Sequence, residues 1–169
     1  MGRATTPEQT QEVGKWTYYK GFKKSLELYN IDQVRLDPEA QAQVKNTGRL
    51  ILVEGCFDVA KCVEAGVKNV VASFGTSVSQ IQIDKLHLLK EVLGAKEILV
   101  WFDRDKAGSE MQRALVDALN ADQLPARSFD WGQKFRSDVR GEVPIPEGIQ
   151  DPCDLSVQQI QWLKQEISI

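Results

Sequence analysis

The sequence predicts an α/β fold, with a mostly parallel sheet of about four strands covered by helices on both faces. Three observations predict it. Near-continuous apolar runs of strand length recur as RLILVEG, NVVASFG and EILVWFD, with ARSFDW as a shorter fourth. They lack the alternation of a strand with one wet face, so they predict burial on both faces. Between them stand stretches of helical length, which parallel strands need as crossovers.

Taken in order, KGFKKSLELYNI (Lys20 to Ile31) mixes polar and apolar residues at helical spacing and predicts a helix. DPEAQAQVKNTG reads as a polar linker punctuated by Gly48. After the first strand, Asp58 to Glu64 reads as a short helix with Gly66 marking its end. NVVASFG is the second strand. Ser79 to Leu93 is an amphipathic helix, N-capped by Ser79 and stopped by Gly94. EILVWFD is the third strand, Ala107 to Leu119 the next helix, and ARSFDW the fourth strand. GQKFRSDVRGEVPIPEGIQ has Gly and Pro punctuation without periodicity and reads as a loop. DPCDLSVQQIQWLKQEI resumes as a terminal helix, where Ser156 and Gln159 fit a capping box. The expected organisation is an N-terminal basic helix and linker over 1–47, an α/β core over 48–131, and a loop, acidic segment and helix over 132–169.

A chain of 169 residues, 42% hydrophobic and 27% charged, is sized and composed for one globular domain. No apolar run approaches the roughly 20 residues of a membrane span, and MGRATTPEQTQEVGK is no secretory signal, so the expected location is cytoplasmic. Three cysteines without a CxxC pair, beside the single His87, argue against structural zinc. A net charge of −3 excludes a uniformly basic surface. The bases instead cluster early, at Lys15, Lys20, Lys23 and Lys24, and late, at Lys134, Arg136 and Arg140. Such flanks suit a phosphate backbone held around an acidic centre.

In an open parallel sheet, ligands bind beyond the carboxyl ends of the strands. Glu54 ends the first strand and Asp103 the third, and Asp105 follows in DRDKAG, so three carboxylates are expected at one edge. Crowded carboxylates repel and resist ionisation unless a cation lies among them. Mg²⁺ or Mn²⁺ suits such oxygen donors and leaves coordination positions for water and phosphate. Gly55 and Gly108 permit sharp turns beside that centre. A helix starting near Lys106 would aim its amides at anions. Solvated acids or helix caps are the bland alternative for each carboxylate.

VEGCFDVAKCVEAGVKNVVASFGTSVSQIQIDKL and ILVWFDRDKAGSEMQRAL resemble the TOPRIM domain, in the branch found in bacterial and phage DNA primases. The resemblance rests on Glu54-Gly55 with Asp58, on Ala72 to Ser77, and on Asp103 to Gly108, and covers roughly 48–120. It implies a Rossmann-like TOPRIM fold and primase-type nucleotidyl transfer, with Glu54 as general acid-base or metal-organising residue. Asp103 and Asp105 would hold Mg²⁺, supported by Asp58 and by Asp151 and Asp154 of IQDPCDL. Cys153 departs from the acid that many family members carry there. Lys20, Lys23, Lys24, Arg104 and Lys106 are implied phosphate or nucleotide contacts. The implied partners are DNA or RNA, nucleoside triphosphates and a helicase or other replication protein. A zinc module ahead of the catalytic core, usual in full primases, has no counterpart in this sequence, so a catalytic fragment and a stand-alone protein both remain open. So do a metal-dependent nuclease and a non-catalytic module that needs a partner.

Overall fold

The structure is a computed structural model, and it describes residues 2–3, 6, 16–137, 141–166 and 169. Its centre is a four-stranded parallel sheet of β3 (Arg49–Val53), β4 (Val70–Ala72), β5 (Glu97–Trp101) and β6 (Ala126–Ser128), in the order β4-β3-β5-β6. Ahead of it, β1 (Gly2–Arg3) and β2 (Trp16–Thr17) pair antiparallel. Register pairs Val53 with Ala72 on one side and with Trp101 on the other.

Alternation along the strands divides the core into two layers. Ile51, Val53, Leu99 and Trp101 face α3 (Cys56–Glu64) and α6 (Val157–Glu166), meeting Val59, Cys62, Ile160 and Leu163. Leu50, Leu52, Ile98 and Val100 face the opposite layer. That layer comprises α1 (Ile31–Leu36), α2 (Pro38–Thr47), α4 (Gln80–Leu93) and α5 (Lys106–Ala121). Both faces of the sheet are therefore covered, as the apolar runs predicted.

The connections set the position of the site. From β3 the chain passes through α3 to β4 on one side; from β5 it passes through α5 to β6 on the other. These two helices lie on opposite faces, so a crevice opens between the carboxyl ends of β3 and β5.

The predicted Ser79 cap is present, with Ser79 Oγ accepting from Gln82 N–H and Gln82 Oε1 accepting from Ser79 N–H. Gly94 closes α4 at φ +71°. Ser156 and Gln159 form the second predicted box.

Three expectations are corrected. Lys20 to Ile31 is not a helix: only Lys24–Leu26 form a 3₁₀ turn, and Tyr29 pairs with Ala72 as a one-residue antiparallel bridge. The backbone is left-handed at Gly21 and Asn30. Buried Gln82 Nε2 donates to the carbonyls of Lys24 and Glu27, which a helix would use internally. The supposed linker is α2, started by Asp37 accepting from Glu39 N–H with Pro38 in the first turn, and ended by Gly48 at φ +71°. Only Ala40 and Val44 are buried on it, too thin a stripe to be seen in a polar sequence. The supposed loop contains a hairpin, β7 (Lys134–Ser137) with β8 (Gly141–Pro144), defined by backbone pairing that no side-chain period announces.

Candidate active site

Glu54 leaves β3 as Asp103 leaves β5, and Glu54 Oε1 accepts from the Asp103 backbone N–H at 3.1 Å. The bond fixes the glutamate across the crevice, half-buried beside a second half-buried carboxylate. Burial, then the Asp103 charge, pushes the Glu54 carboxyl up to about 7, with Asp58 and Asp105 adding to the push.

Asp58 lies within the first turn of α3 and folds back on its start. Its Oδ2 accepts from Gly55 N–H at 2.9 Å. A Cβ on residue 55 would stand 3.0 Å from that oxygen, which explains a glycine at the cap. Asp58 is 6% exposed. Burial raises its pKa to about 7, helped by Asp151 and Asp103 and opposed by backbone N–H bonds from Gly55 and Cys153. Asp58 thus ties the β3–α3 turn to the late acidic segment.

Asp105 is the N-cap of α5, accepting from Gly108 N–H at 2.6 Å. Gly108 packs on the end of β5 so closely that a Cβ would lie 2.3 Å from the Asp103 carbonyl oxygen. The chain can therefore leave β5, carry two aspartates across the crevice and enter α5 in one tight turn.

Two residues that sequence reasoning missed brace this turn. Gln112 on α5 is buried; its Oε1 accepts from Phe102 N–H at 2.8 Å and its Nε2 donates to the Phe129 carbonyl. Trp131 Nε1 donates to the Phe102 carbonyl at 3.0 Å. Gln82 does similar work on the neighbouring loop, its Nε2 also donating to the Ser73 carbonyl. The signal was available: Gln112 shares a core-facing stripe with Leu115 and Leu119, and Gln82 adjoins Ile83 and Leu86. A polar side chain inside such a stripe marks a backbone that needs a partner.

The late acids divide. Asp151 reaches Asp58 electrostatically and caps the 3₁₀ turn Pro152–Asp154 through its bond from Asp154 N–H. Asp154 turns to its own segment, accepting from Gln150 N–H. Arg104 Nη1 donates to the carbonyls of Pro146 and Ile145, and Arg104 N–H to Gln150 O, so Arg104 fastens the late segment to the site. Lys106 is exposed, 3.9 Å from Glu110. Lys20, Lys23 and Lys24 are all exposed, and Lys24 Nζ lies 3.8 Å from where a Cβ on Gly75 would stand. Gly75 N–H in turn donates to the Glu54 carbonyl.

Among the described residues, no three acidic, histidine or cysteine side chains form a ready-made metal cage. The donor set still suits a hard cation. All the candidate ligands are carboxylates, and Mg²⁺ commonly uses one or two of these with waters completing its shell.

The raised carboxyls carry a pH signature. Between the ordinary glutamate and aspartate range and about 7, the folded protein holds protons at Glu54 and Asp58 that the unfolded chain releases. Stability of the metal-free protein must therefore fall as pH rises through that window. Thermal melts in chelator are expected to show a lower Tm at pH 7.5 than at pH 5.5, with a smaller drop in Glu54→Gln. A Tm that rises across the window would contradict this assignment.

The TOPRIM domain family matches residues 48–129. The DNA primase of Streptomyces coelicolor is 33% identical over 134 residues, which are 79% of this chain and 18% of that protein. The zinc-binding and RNA polymerase domains of Aquifex aeolicus primase superpose with a TM-score of 0.57 at 26% identity, over 90% of this chain and 30% of that one. A DnaG primase catalytic domain bound to ssDNA matches at 0.51 and 26%, over 82% of this chain and 36% of that one. The chain thus spans less than a quarter of the length of the S. coelicolor primase it matches. Strand order, the crevice acids and these likenesses agree: residues 48–129 form a TOPRIM domain, and it resembles the catalytic TOPRIM domain of bacterial DNA primases.

Proposed function

We propose that the crevice acids support primase-type nucleotidyl transfer, joining ribonucleotides on a nucleic-acid template with Mg²⁺ or Mn²⁺. The observation that carries this reading is the Glu54–Asp103 contact at the switch point of the sheet, where burial and neighbouring charge hold Glu54 at about 7. In the metal-free protein a carboxyl at that value exchanges protons near neutral pH, and a cation on the neighbouring aspartates would favour its ionised form, the form that a general base on a ribose hydroxyl needs. Asp103 and Asp105 would hold the metal, with Asp58 and Asp151 setting the field around them. When bound, the ion would neutralise phosphate charge and orient the reacting oxygens. Lys20, Lys23, Lys24 and Lys106 remain candidate phosphate contacts, and Arg104 serves the site by anchoring the late segment. DNA or RNA and nucleoside triphosphates are the proposed ligands; the primase neighbour bound to ssDNA supports the first. A helicase or another replication protein is the proposed macromolecular partner.

The test supplies template, labelled ribonucleotides and Mn²⁺, with parallel samples scored for cleavage of the template. Primer products that fall about 100-fold or more in Glu54→Gln are expected, since removing a positioned acid-base group costs roughly that much. Template cleavage without primer synthesis would overturn the reading in favour of a nuclease.

A further inference from the structure

Beside the acids lies a group of aromatic side chains that the metal chemistry does not use. Tyr18 stacks on Phe22 with ring centroids 5.3 Å apart and planes 20° from parallel. Phe74 packs edge-on against Tyr18, Phe22 and Tyr29 at 5.9, 5.3 and 6.0 Å. The group is not a core: Phe22 is 40% exposed, Tyr29 42% and the adjoining Tyr19 82%. At its centre, Phe74 adopts a left-handed backbone at φ +63°, a strained conformation for a bulky side chain. The surroundings hold it there. Ser73 Oγ donates to the Gly75 carbonyl at 2.6 Å, and Gly75 N–H donates to the Glu54 carbonyl at 3.0 Å. The backbone that presents Phe74 is thus the backbone that flanks Glu54.

Charge identifies the occupant. Lys20, Lys23 and Lys24 interleave with these rings in YYKGFKK, and all three are exposed. Lys24 Nζ sits against Gly75, within the same turn. Rings that offer π-faces among cations on a short stretch match the needs of a single strand, whose bases stack while its phosphates pair. A protein partner would be served by the apolar bodies alone and gives no reason for the lysines.

We propose that Phe22 and Tyr29, arranged around Phe74, are a stacking platform for unpaired bases of a nucleic-acid strand whose phosphates meet Lys20, Lys23 and Lys24. The proposal rests on the nucleic-acid reading of the crevice and adds the place where a strand is held beside it. Stacking is sequence-tolerant, so the platform fixes position without selecting a base.

The test is fluorescence anisotropy in chelator, with the full chain titrated against labelled oligothymidylate and against an abasic strand of equal length and charge. Wild type is expected to bind the base-bearing strand about tenfold or more tightly, the scale of one stacked base. Phe22→Leu with Tyr29→Leu keeps apolar bulk and removes π-faces, so the ratio should fall towards one while abasic binding and its steep salt dependence persist. Equal wild-type affinity for the two strands would overturn the platform, and that comparison needs no variant. A ratio unchanged in the folded double variant would overturn it too, and would assign the rings to an apolar protein contact. Neither metal nor nucleotide is present, so failure of primer synthesis in its own assay leaves this outcome separately readable.

Discussion

Asp103→Asn combined with Asp105→Asn is expected to leave a folded protein that no longer binds Mn²⁺ and makes no primer. The fold should survive for a specific reason. Asp105 caps α5 by accepting from Gly108 N–H, and asparagine caps helices about as well as aspartate. The Glu54 bond to residue 103 uses the backbone N–H, which the substitution keeps. What disappears is anionic charge beside a carboxyl already pushed up to about 7. With that repulsion gone, the Tm of the metal-free double variant should depend less on pH between 5.5 and 7.5 than the wild-type Tm does. Mn²⁺ titration followed by electron paramagnetic resonance, alongside thermal melts, checks both halves. Mn²⁺ affinity unchanged in the double variant would remove these aspartates as ligands.

Gly108→Ala should be the most damaging single change near the site, with a sign opposite to helix propensity. Alanine within a helix normally gains about 1 kcal/mol over glycine. Here the added methyl would stand 2.3 Å from the Asp103 carbonyl oxygen and 3.0 Å from its carbon. Those are backbone atoms at the end of a buried strand, so no rotamer relieves the clash. Either α5 withdraws from β5 or the Asp103 turn shifts. A loss of about 3 kcal/mol, or roughly 6–12 °C in Tm, follows for overpacking at such a point. Metal affinity should drop with it, because the displaced turn carries both aspartates. Chemical denaturation of the two proteins measures the first effect. A Gly108→Ala protein as stable as wild type would show that the turn has slack the contacts do not suggest.

These experiments probe a site whose parts were unequally legible. Glu54, Asp103 and Asp105 could be placed at one edge because strand ends are announced by apolar runs that stop at an acid. Gly55 and Gly108 were recognised as turn residues, but their cause lies in contacts: the returning Asp58 carboxylate at one and the Asp103 carbonyl at the other. Arg104 was read as a phosphate contact, while in the fold its Nη1 holds the carbonyls of Ile145 and Pro146. No local pattern announces those two bonds. Gln82 and Gln112 went unremarked because a buried amide looks like any polar residue until its stripe is followed around the helix.

By itself the sequence determined the α/β class, the sheet edge that bears the acids, and the helix limits at Ser79, Gly94 and Ser156. Each depends on periodicity or on hydrogen bonds between residues three or four apart. Tertiary structure alone decided that the Lys20–Ile31 stretch forgoes a helix and meets β4 through Tyr29, that Asp58 joins the crevice to the late segment, and that four aromatic rings gather next to Glu54. Those outcomes depend on partners more than forty residues away, such as Gln82 for the carbonyls of Lys24 and Glu27. A long-range partner that captures a carbonyl overrides a local preference for helix, since a buried backbone group without a hydrogen bond costs more than propensity returns.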